Sequence, residues 1–326
     1  MATRAKISDV AALAGVSSAT VSRVLNGNSR VDADITDRVN MALATLKYRR
    51  NRLASGLRQQ RNNVIGAVIP DVSNPFFTDV VRGIEDGVRA AGFLLVLCNS
   101  DDDPNKENAY LELLVDQQAA GIILAPASTT STGMAEARDG GVRMVVIDRS
   151  LEGQDVDTVV LDNATGAEAL TRELLEQAAI VAHIGGPRRT STAVQRLAGY
   201  QDALAGYGRA FVPELAIESD YTEQGGYEAM EQLLRLSPRP DAVFVGNNVM
   251  TIGVLRRLAE SSDERSAVAL ASFDPLPWSA DPERAVRVLD HPSYHLGALA
   301  AGLMMAGIEE PSTPPQTVVL PSGNVV

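Results

Sequence analysis

The sequence has 326 residues, 45% of them apolar, a single cysteine and a formal net charge of −12. This length is enough for two or three domains that each bury a core, and the apolar content excludes a wholly disordered chain. The single cysteine excludes an intramolecular disulfide, and the negative net charge, taken as an average, argues against a polyanionic partner.

That average conceals a sharp division of charge along the chain. Residues 1–61 hold eleven Lys or Arg and four Asp or Glu side chains, a net charge of +7. The rest of the chain holds 18 basic and 37 acidic side chains, a net charge of −19. A basic head on an acidic body indicates that the head meets phosphate groups while the body has a different task.

No segment has the features of an export or membrane signal. The start, MATRAKISDV, lacks the apolar core of a signal peptide. The longest nearly uncharged apolar stretch, residues 296–308, is shorter than the roughly 18 residues that a membrane span needs, and we interpret it as a core helix. The sequence therefore predicts a cytoplasmic protein without membrane contact.

The first predicted elements are two short helices in the head. Ser8 is positioned to cap a helix that runs to about Ala14, and Gly15 ends it. Ser17 can cap a second helix that runs to about Leu25. Two short helices joined by a glycine turn predict a helix-turn-helix.

A third helix is predicted to close this small bundle. Asp34 or Thr36 begins it and it runs to about Lys47. Its apolar face is made of Ile35, Val39, Ala42 and Leu46.

A shorter helix is predicted from Asn51, with Leu53 and Leu57 on one face. Ser55 and Gly56 weaken it, so we expect it to form only when another surface holds it.

From residue 64 onward, strand-like runs alternate with helical patterns. The predicted strands are 64–71, 93–100, 121–127, 144–149, 158–163, 180–186, 242–248, 268–274 and 317–321. The predicted helices are 76–91, 104–119, 165–177, 192–205 and 249–260. Near-continuous Val, Ile and Leu runs are typical of strands buried on both faces, so the body is predicted to be doubly wound α/β with parallel sheets.

Several predicted strands end in polar residues. These are Asp71, Asn99, Asp148, Asp162, Asn247 and Asp274. In open parallel sheets, ligands bind at the carboxyl ends of the strands, so these residues mark the expected ligand site.

In a helix-turn-helix, the first turns of the second helix reach base edges in the major groove. Ser18, Ala19, Thr20 and Arg23 are therefore candidate readers of base pairs, and the fork of Arg23 suits O6 and N7 of a guanine. A generic helical hairpin with a solvated arginine is the alternative, which the basic head disfavours.

Three segments together resemble a known family. DVAALAGVSSATVSRVLNG at 9–27, NRLASGL at 51–57 and IGAVIPDVSNPFF at 65–77 resemble the lactose repressor (LacI-type) family of bacterial transcription regulators. The resemblance covers essentially the whole chain. It implies a helix-turn-helix head, a hinge helix, and a two-lobed body like periplasmic sugar-binding proteins, which binds a small effector between its lobes and dimerises.

The fold class expected on these grounds is α/β, with an N-terminal helix-turn-helix head and a two-lobed periplasmic-binding-protein-like body with parallel sheets. The expected domains are 1–50 for DNA binding, 51–61 for the hinge helix and linker, and 62–326 for effector binding and dimerisation. Within the body, lobe 1 comprises about 62–163 and 292–326, and lobe 2 about 164–291.

The DNA-binding residues expected from the helix-turn-helix and the resemblance form one set. They are Ser17, Ser18, Ala19, Thr20, Ser22, Arg23, Asn26, Arg30, Asn51, Ala54 and Leu57. In the family, the hinge leucine that matches Leu57 wedges between base pairs at the centre of a palindromic operator, and the resemblance transfers that role.

The effector-binding residues are expected to combine carboxylates and amides, which bond hydroxyls, with aromatic faces, which stack on a sugar's apolar side. They are Asp71, Asn74, Phe76, Phe77, Asp148, Arg196, Asn248, Asp274 and Trp278. The roles of Arg196 and Asp274 are implied by the resemblance. Asn248 departs from the family's usual pattern, in which an acid follows the preceding asparagine.

Two further features are interpreted as structural. His183 falls inside a predicted strand, where a hydrogen-bonded core histidine is expected. The acidic run Asp101, Asp102 and Asp103 is interpreted as a solvated loop.

No sequence motif indicates catalysis. There is no GxGxxG after a strand, no P-loop, no CxxC and no HExxH, and three histidines with one cysteine supply a metal cluster poorly. We therefore expect no enzymatic activity, no cofactor and no metal.

The sequence predicts a DNA-binding transcription regulator, a repressor of carbohydrate-utilisation genes. Its expected partners are palindromic double-stranded operator DNA, a sugar or sugar phosphate as effector, and a second copy of the chain. A nucleobase or another metabolite as effector, and activation instead of repression, remain open. A ligand-binding protein without DNA function is the alternative from another class, which the head and the missing signal peptide disfavour.

Overall fold

The computed structural model describes residues 6–25, 31–46, 62–260, 268–276 and 285–326. The chain divides into two compact units, a head of residues 1–62 and a body of residues 63–326.

The head contains three helices around a small core. They are α1 (Ile7–Ala14), α2 (Ser18–Leu25) and α3 (Ala33–Thr45). The buried core residues are Val10, Ala11, Ala14, Val21, Val39 and Ala42, with Ile35 and Leu46 packed against them. The predicted apolar face of the third helix is therefore confirmed.

The first helix begins earlier than predicted. Lys6, not Ser8, is its N-cap, because the carboxylate of Asp9 accepts the Lys6 backbone N–H at 2.8 Å and closes the first turn there. Gly15 ends the helix as predicted, in the left-handed region with φ of 65°.

Side-chain oxygens of Ser17 and Asp32 cap the other two head helices. Ser17 Oγ accepts the Thr20 backbone N–H at 3.1 Å, which confirms the predicted cap of α2. Asp32, not Asp34 or Thr36, caps α3, since its carboxylate already accepts the Asp34 N–H at 2.9 Å.

The body contains eleven named strands. In chain order they are β1 (Asn62–Ile69), β2 (Leu94–Asn99), β3 (Ala119–Leu124), β4 (Arg143–Ile147), β5 (Asp157–Leu161), β6 (Val181–Gly185), β7 (Ala216–Glu218), β8 (Ala242–Val245), β9 (Ala269–Ser272), β10 (Val286–Val288) and β11 (Thr317–Leu320).

The named helices of the body alternate with these strands. They are α4 (Pro75–Ala90), α5 (Pro104–Asp116), α6 (Thr132–Asp139), α7 (Asn163–Leu175), α8 (Ser191–Gly206), α9 (Glu223–Leu234), α10 (Asn248–Ala259) and α11 (Ser293–Glu309). The predicted core helix at 296–308 lies within α11.

The strands form two separate sheets, each the centre of a lobe. The sheet of lobe 1 has the order β11-β5-β4-β3-β1-β2, and the sheet of lobe 2 has the order β10-β9-β8-β6-β7. In lobe 1, β2 pairs with β1, β4 with β3 and β5, and β11 with β5, all in parallel. In lobe 2 the pairings along the whole sheet are parallel. The predicted doubly wound, two-lobed body with parallel sheets is confirmed.

Three segments pass between the lobes. One joins β5 to α7, one joins β10 to α11, and the third follows β11 to the end of the chain. Leu289 pairs with Val325, and Ser322 Oγ donates to the Asp162 carbonyl at 2.8 Å. The last residues are thus part of the connection between the lobes.

Helices α4 and α11 of lobe 1 pack at backbone distance. A Cβ at Gly83 would lie 2.1 Å from the Tyr294 carbonyl oxygen, and one at Gly297 would lie 2.0 Å from that of Val80. Only glycine allows this approach, which covers one face of the sheet with two closely spaced helices.

Strand ends differ from the prediction because polar tip residues leave the sheet. β1 ends at Ile69 rather than at Asp71, whose carboxylate accepts the Ser73 N–H at 2.8 Å and forms a turn. The second body helix ends at Asp116 rather than at residue 119, because Gln118 adopts a φ of 54° and the chain enters β3.

Four elements are missing from the sequence prediction: α6, α9, β7 and β10. The pattern of α6 is weakly apolar, α9 contains two adjacent glycines, and the two strands have three residues each, too short for periodicity to show.

Candidate functional site

A cavity of about 270 Å³ lies between the two lobes, at the carboxyl ends of the strands. Seven of the residues predicted to bind effector line it: Asp71, Asn74, Phe76, Phe77, Asp148, Arg196 and Asp274. The expectation that strand tips mark the ligand site thus agrees with the position of the cavity.

The lobe 1 wall begins where β1 passes into α4. Asn74 caps α4, and its side-chain oxygen accepts the Phe76 N–H at 3.0 Å. This cap places Phe76 and Phe77 at the cavity, with their ring centroids 5.1 Å apart and their planes at 79°. The wall therefore offers an amide beside aromatic surface.

Arg149 is the centre of an ion network in the same wall. Both its Nη atoms donate to the carboxylate of Asp102, and its Nε lies 3.5 Å from Asp148 Oδ2. Nη1 also donates to the Pro126 carbonyl at 2.9 Å. Burial opposes the charged guanidinium, but these carboxylates outweigh it and raise the pKa of Arg149.

Asp148 is held in an unusual state at the tip of β4. Its φ is 62°, in the left-handed region, and it is 5% exposed. Burial raises the pKa of its carboxyl against the charges of Arg149 and Arg196.

The acidic run after β2 is a solvated loop only in part, since Asp101 and Asp103 are exposed and Asp102 is half-buried. Asp101 and Asp102 both line the cavity, each with φ of 54°, and Asp103 caps α5 by accepting the Asn105 N–H. Aspartate tolerates the left-handed region better than most residues. The pair of left-handed residues turns the chain so that Asp102 reaches Arg149.

Arg196 is the cation of the lobe 2 wall. It is 5% exposed, and its Nε donates to Asn163 Oδ1 at 2.8 Å while its Nη1 donates to the Gly246 carbonyl. The guanidinium carbon lies 3.7 Å from the centre of the Phe273 ring. These neutral contacts orient Arg196 without a carboxylate partner among its hydrogen bonds in the described residues.

Asp274 is held by groups from three directions. His291 Nε2 lies 3.2 Å from its Oδ1, and the Asn248 backbone N–H donates to its carboxylate. Burial favours the neutral acid, but the His291 contact and the charge of Arg196 outweigh it and lower the pKa of Asp274. Asp274 is thus an ionised acceptor at the cavity.

His291 ties this carboxylate to the connection between the lobes. Its Nδ1 lies 2.7 Å from the Ser322 carbonyl oxygen and its Nε2 lies 2.7 Å from that of Phe273.

Asn248 differs from its predicted position. It is 1% exposed and does not belong to the cavity lining, whereas its neighbour Asn247 does. Its Nδ2 donates to Asn74 Oδ1 at 3.0 Å and to the Pro275 carbonyl at 3.3 Å, and the first of these bonds crosses between the lobes. Both partners are acceptors, so an amide fits where a carboxylate would be repelled.

Further hydrogen bonds cross between the lobes beside the cavity. Ser191 Oγ accepts the Ser150 N–H at 2.8 Å, and the Arg189 carbonyl accepts the Thr129 N–H at 2.8 Å. The side chain of Arg189 donates to the Asp102 carbonyl at 3.2 Å.

The loop after β7 supplies a tyrosine and an aspartate from lobe 2. Asp220 Oδ1 accepts the Thr222 N–H at 3.0 Å, and the Tyr221 hydroxyl lies 3.0 Å from Thr192 Oγ1. The Arg149 guanidinium carbon lies 5.5 Å from the Tyr221 ring centroid.

Sequence reasoning did not select several residues that line the cavity. They are Asp101, Asp102, Arg149, Thr192, Asp220, Tyr221 and Thr222. Asn247, which was predicted as a polar strand-tip residue but not among the effector-binding residues, also lines the cavity. Asp220 follows a strand too short to be predicted, and only folding shows that Asp102 meets Arg149.

His183 lies in β6 as predicted but is only half hydrogen-bonded. It is 2% exposed, stacks between the rings of Tyr200 and Phe244, and places Nδ1 3.1 Å from the Phe244 carbonyl. Its Nε2 has no partner among the described residues. Burial lowers the pKa of this imidazole to about 4.

The residues predicted to read DNA lie at the cap of α2 and along that helix, as far as the structure describes them. Ser17, Ser18, Ala19 and Arg23 are exposed and Thr20 and Ser22 half-buried, while Val21 of the same helix is buried. The predicted residues Asn26, Arg30, Asn51, Ala54, Leu57 and Trp278 lie outside the described residues.

The described ranges contain neither a membrane-spanning helix nor a cluster of metal-binding side chains. No helix there is long and apolar enough to cross a membrane. Within the same residues, no group of three or more His, Cys, Asp or Glu side chains could hold a metal ion.

Comparison with known proteins matches both units of the chain. Residues 6–51 match the family of bacterial regulatory proteins, lacI family. Residues 62–316 match the family of periplasmic binding proteins and sugar binding domain of LacI family.

Individual relatives align over almost the whole length. The ribose operon repressor of Escherichia coli (strain K12) is 31% identical over 319 residues, which covers 97% of this chain and 97% of the relative. The solved complex of the transcriptional regulator CelR with cellobiose is 28% identical, covers 99% of this chain and 98% of its own, and has a TM-score of 0.74.

A more distant structure shares the fold. The lac repressor dimer bound to operator and the anti-inducer ONPF is 21% identical, covers 98% of this chain and 97% of its own, and has a TM-score of 0.83. With both units matched and relatives aligned end to end, this chain belongs to the lacI family of bacterial regulatory proteins.

Proposed function

We propose that this protein represses carbohydrate-utilisation genes, binding a palindromic operator as a homodimer and responding to a sugar-like effector held between its lobes. Operator binding requires access to the chromosome, so the proposal includes a cytoplasmic location. The observation that carries it is the lining of the cavity. Asp274, Arg196 and Asn74 line this cavity together with the rings of Phe76 and Phe77.

That combination suits a sugar. Ionised Asp274 accepts hydroxyl hydrogens, the guanidinium of Arg196 donates to hydroxyl or ring oxygens, and the phenyl faces cover the apolar side of a pyranose or furanose ring. Bonds to a carboxylate and a guanidinium are the stronger kind because one partner is charged. The relatives point the same way, since their names refer to ribose and cellobiose.

The DNA-binding part of the proposal uses the exposed face of α2. Ser18 and Ser22, and Ala19 and Arg23, are pairs four residues apart and so share one side of the helix. Within the described part of the head, no ion pair or hydrogen bond holds the Arg23 side chain. It can therefore extend into a major groove and pair with a guanine.

The homodimer has support from the edge of the lobe 1 sheet. β2 is the outermost strand at one edge of this sheet, and its Leu94, Val96 and Leu97 are all exposed. An exposed apolar edge strand is a surface that proteins normally cover, and a second copy would cover it.

Regulation would follow from the position of the cavity. An effector that contacts both walls favours the closed arrangement of the lobes, and closure changes the spacing of the points at which two heads join their bodies. Coupling of about 1–3 kcal/mol suffices for a 5- to 150-fold change in operator affinity.

Two measurements test the proposal. Operator sequences are selected from random duplexes with the full chain, and affinity is measured for the wild type, Arg23→Ala and Arg38→Ala. Arg23→Ala should lose about 1–3 kcal/mol of discrimination against the wrong base at one position of each half-site. Arg38, on α3, is the matched control and should leave sequence preference unchanged.

The second measurement is a thermal-shift screen with sugars, sugar phosphates and nucleobases, followed by operator binding with each stabilising compound. A sugar should stabilise the protein and change its operator affinity. Stabilisation by a purine alone would overturn the carbohydrate proposal, and an unchanged base preference in Arg23→Ala would overturn the role of Arg23.

A further inference from the structure

We infer that the cavity takes a small uncharged, hydroxyl-rich ligand and rejects the phosphate esters of the same compounds. This inference rests on the proposed function and narrows the effector from sugars and sugar phosphates to the former. It follows from the charges that line the cavity, from how they are paired, and from which acceptors are uncommitted.

The wall of the cavity carries far more acid than base. Six aspartates line it: Asp71, Asp101, Asp102, Asp148, Asp220 and Asp274. The two cations in the lining are Arg149 and Arg196, so six negative and two positive charges give a formal net charge of −4.

Pairing does not remove the excess. Asp101 forms an ion pair with Lys106 outside the lining, and Asp102 takes both Nη atoms of Arg149. Setting these two pairs aside leaves four carboxyl groups against Arg196 alone, a net charge of −3. The Nη atoms of Arg149 are bonded to Asp102 and Pro126. Its Nε makes no hydrogen bond in the described residues but lies 3.5 Å from Asp148 Oδ2, so an anion that approached Nε would also meet that carboxyl group.

Helix ends act in the opposite direction and are too weak to reverse the sign. Helices α4, α8, α9 and α10 begin at the cavity, and the N-terminus of a helix is equivalent to roughly +0.5 charge, so the four contribute roughly +2. The caps of α4, α9 and α10 already accept N–H groups of the first turns, whereas no side-chain cap bond is made at α8. With the four remaining carboxyl groups ionised, the side chains sum to −3, which exceeds the contribution of the helix ends.

Two carboxylates face the ligand space without a basic partner in the described residues. Asp71 in lobe 1 and Asp220 in lobe 2 each use Oδ1 to hold their own turn, through Ser73 and Thr222. Each Oδ2 is left as an acceptor. A sugar hydroxyl donates to such an oxygen, whereas a phosphate monoester at neutral pH brings close to two negative charges and acceptor oxygens.

The volume agrees with a small ligand. At about 270 Å³, the cavity lies just below the range of roughly 300–1,000 Å³ that drug-sized ligands occupy. An added phosphate group would therefore meet a wall carboxylate at short range, where charges interact strongly.

Matched pairs of ligands test the inference. Isothermal titration of the full chain uses ribose with ribose 5-phosphate, glucose with glucose 6-phosphate, and fructose with fructose 1-phosphate, followed by other common sugars and their esters. The expected result is binding of at least one parent sugar, with its ester weaker by about tenfold or more.

A pair of double variants tests the cause. Asp71→Asn with Asp220→Asn should reduce the discrimination against the ester by about tenfold, because both uncommitted charges are removed. Asp79→Asn with Asp202→Asn changes one exposed aspartate in each lobe, neither of which lines the cavity, and should leave the ratio unchanged.

The outcomes are distinct. An ester that binds as tightly as its parent overturns the inference while leaving a sugar-responsive regulator intact. Unchanged discrimination in the Asp71 and Asp220 double variant overturns it too, since the carboxylates would not be the cause. No binding by any sugar or ester overturns both this inference and the proposed function.

Discussion

The two lobes bring the same kind of element to the cavity but hold their charges differently. In lobe 1, Arg149 is bonded to Asp102 and lies beside Asp148, so cation and carboxylates form one buried network. In lobe 2, Arg196 is oriented by the neutral oxygens of Asn163 and Gly246.

The two arginines are therefore expected to have different tasks, one in stability and one in ligand recognition. A guanidinium that already holds carboxylates stabilises its own wall, whereas one held by neutral groups keeps its charge for a ligand. We therefore expect Arg149 to matter most for folding and Arg196 most for effector binding.

The largest expected effect is the loss of Arg149. Arg149→Met leaves the carboxyl groups of Asp102 and Asp148 without their cation, and should reduce the free energy of unfolding by about 3–5 kcal/mol. Arg196→Met should reduce the free energy of unfolding by only about 1–3 kcal/mol, because the hydrogen-bond partners that it leaves are neutral. The same variant should abolish effector binding.

Urea unfolding and calorimetric titration of both variants check this contrast. Equal losses of stability, or effector binding that survives Arg196→Met, would show that the two walls do not divide these tasks.

A smaller effect is expected from acidification, and of opposite sign in the two lobes. Burial lowers the pKa of His183 in lobe 2 to about 4, from 6.5 in the unfolded chain. The stability that depends on neutral His183 is therefore complete above pH 6.5 and is lost as pH falls to 4. The loss is about 3 kcal/mol. In lobe 1, burial raises the pKa of Glu107, so its ionisation destabilises the fold at neutral pH and acidification relieves it.

Hydrogen exchange at pH 7 and pH 4.5 measures the two lobes separately. Amides of β6 and β8 should lose protection first, and those of β3 should hold. His183→Gln, which cannot titrate, is the control and should remove most of the change in lobe 2; equal loss of protection in both lobes contradicts the comparison.

The smallest effect concerns the bond between the lobes. Asn248→Ala removes the hydrogen bond to Asn74 and should cost about 1 kcal/mol of stability. Asn108→Ala is matched, because Asn108 Oδ1 accepts the Gly133 N–H at 3.2 Å within lobe 1. Only Asn248→Ala should also weaken effector binding, by about fivefold.

Titration of both variants with the same effector decides the point. If the two variants lose affinity equally, the bond between Asn248 and Asn74 has no special role in closure of the lobes.

Much of the fold was predictable because its signals are local. Long apolar runs place the central strands, and Gly15 and Ser17 set the turn of the head, since each acts within a few residues. Elements with weak or interrupted patterns were not predictable. Helix α9, with its adjacent glycines, forms because α10 packs on it, and a short window of sequence around α9 does not contain that partner.

The site divides in the same way. Asp71, Asp148 and Asp274 were predictable because each follows closely after a strand, and the topology of parallel sheets brings the ends of strands together. The position of Asn248 was not predictable. Its neighbour Asn247 turns to the cavity, whereas the Asn248 side chain turns to the other lobe.

Residue order alone was sufficient to establish a basic helix-turn-helix head, an acidic two-lobed body and the ligand edge of its sheets, because composition and periodicity are properties of neighbours in the chain. The pairing of charges at that edge was settled only by tertiary folding. Asp102 meets Arg149 across 47 residues and Arg196 meets Gly246 across 50, and which carboxylates remain for a ligand depends on those distant contacts.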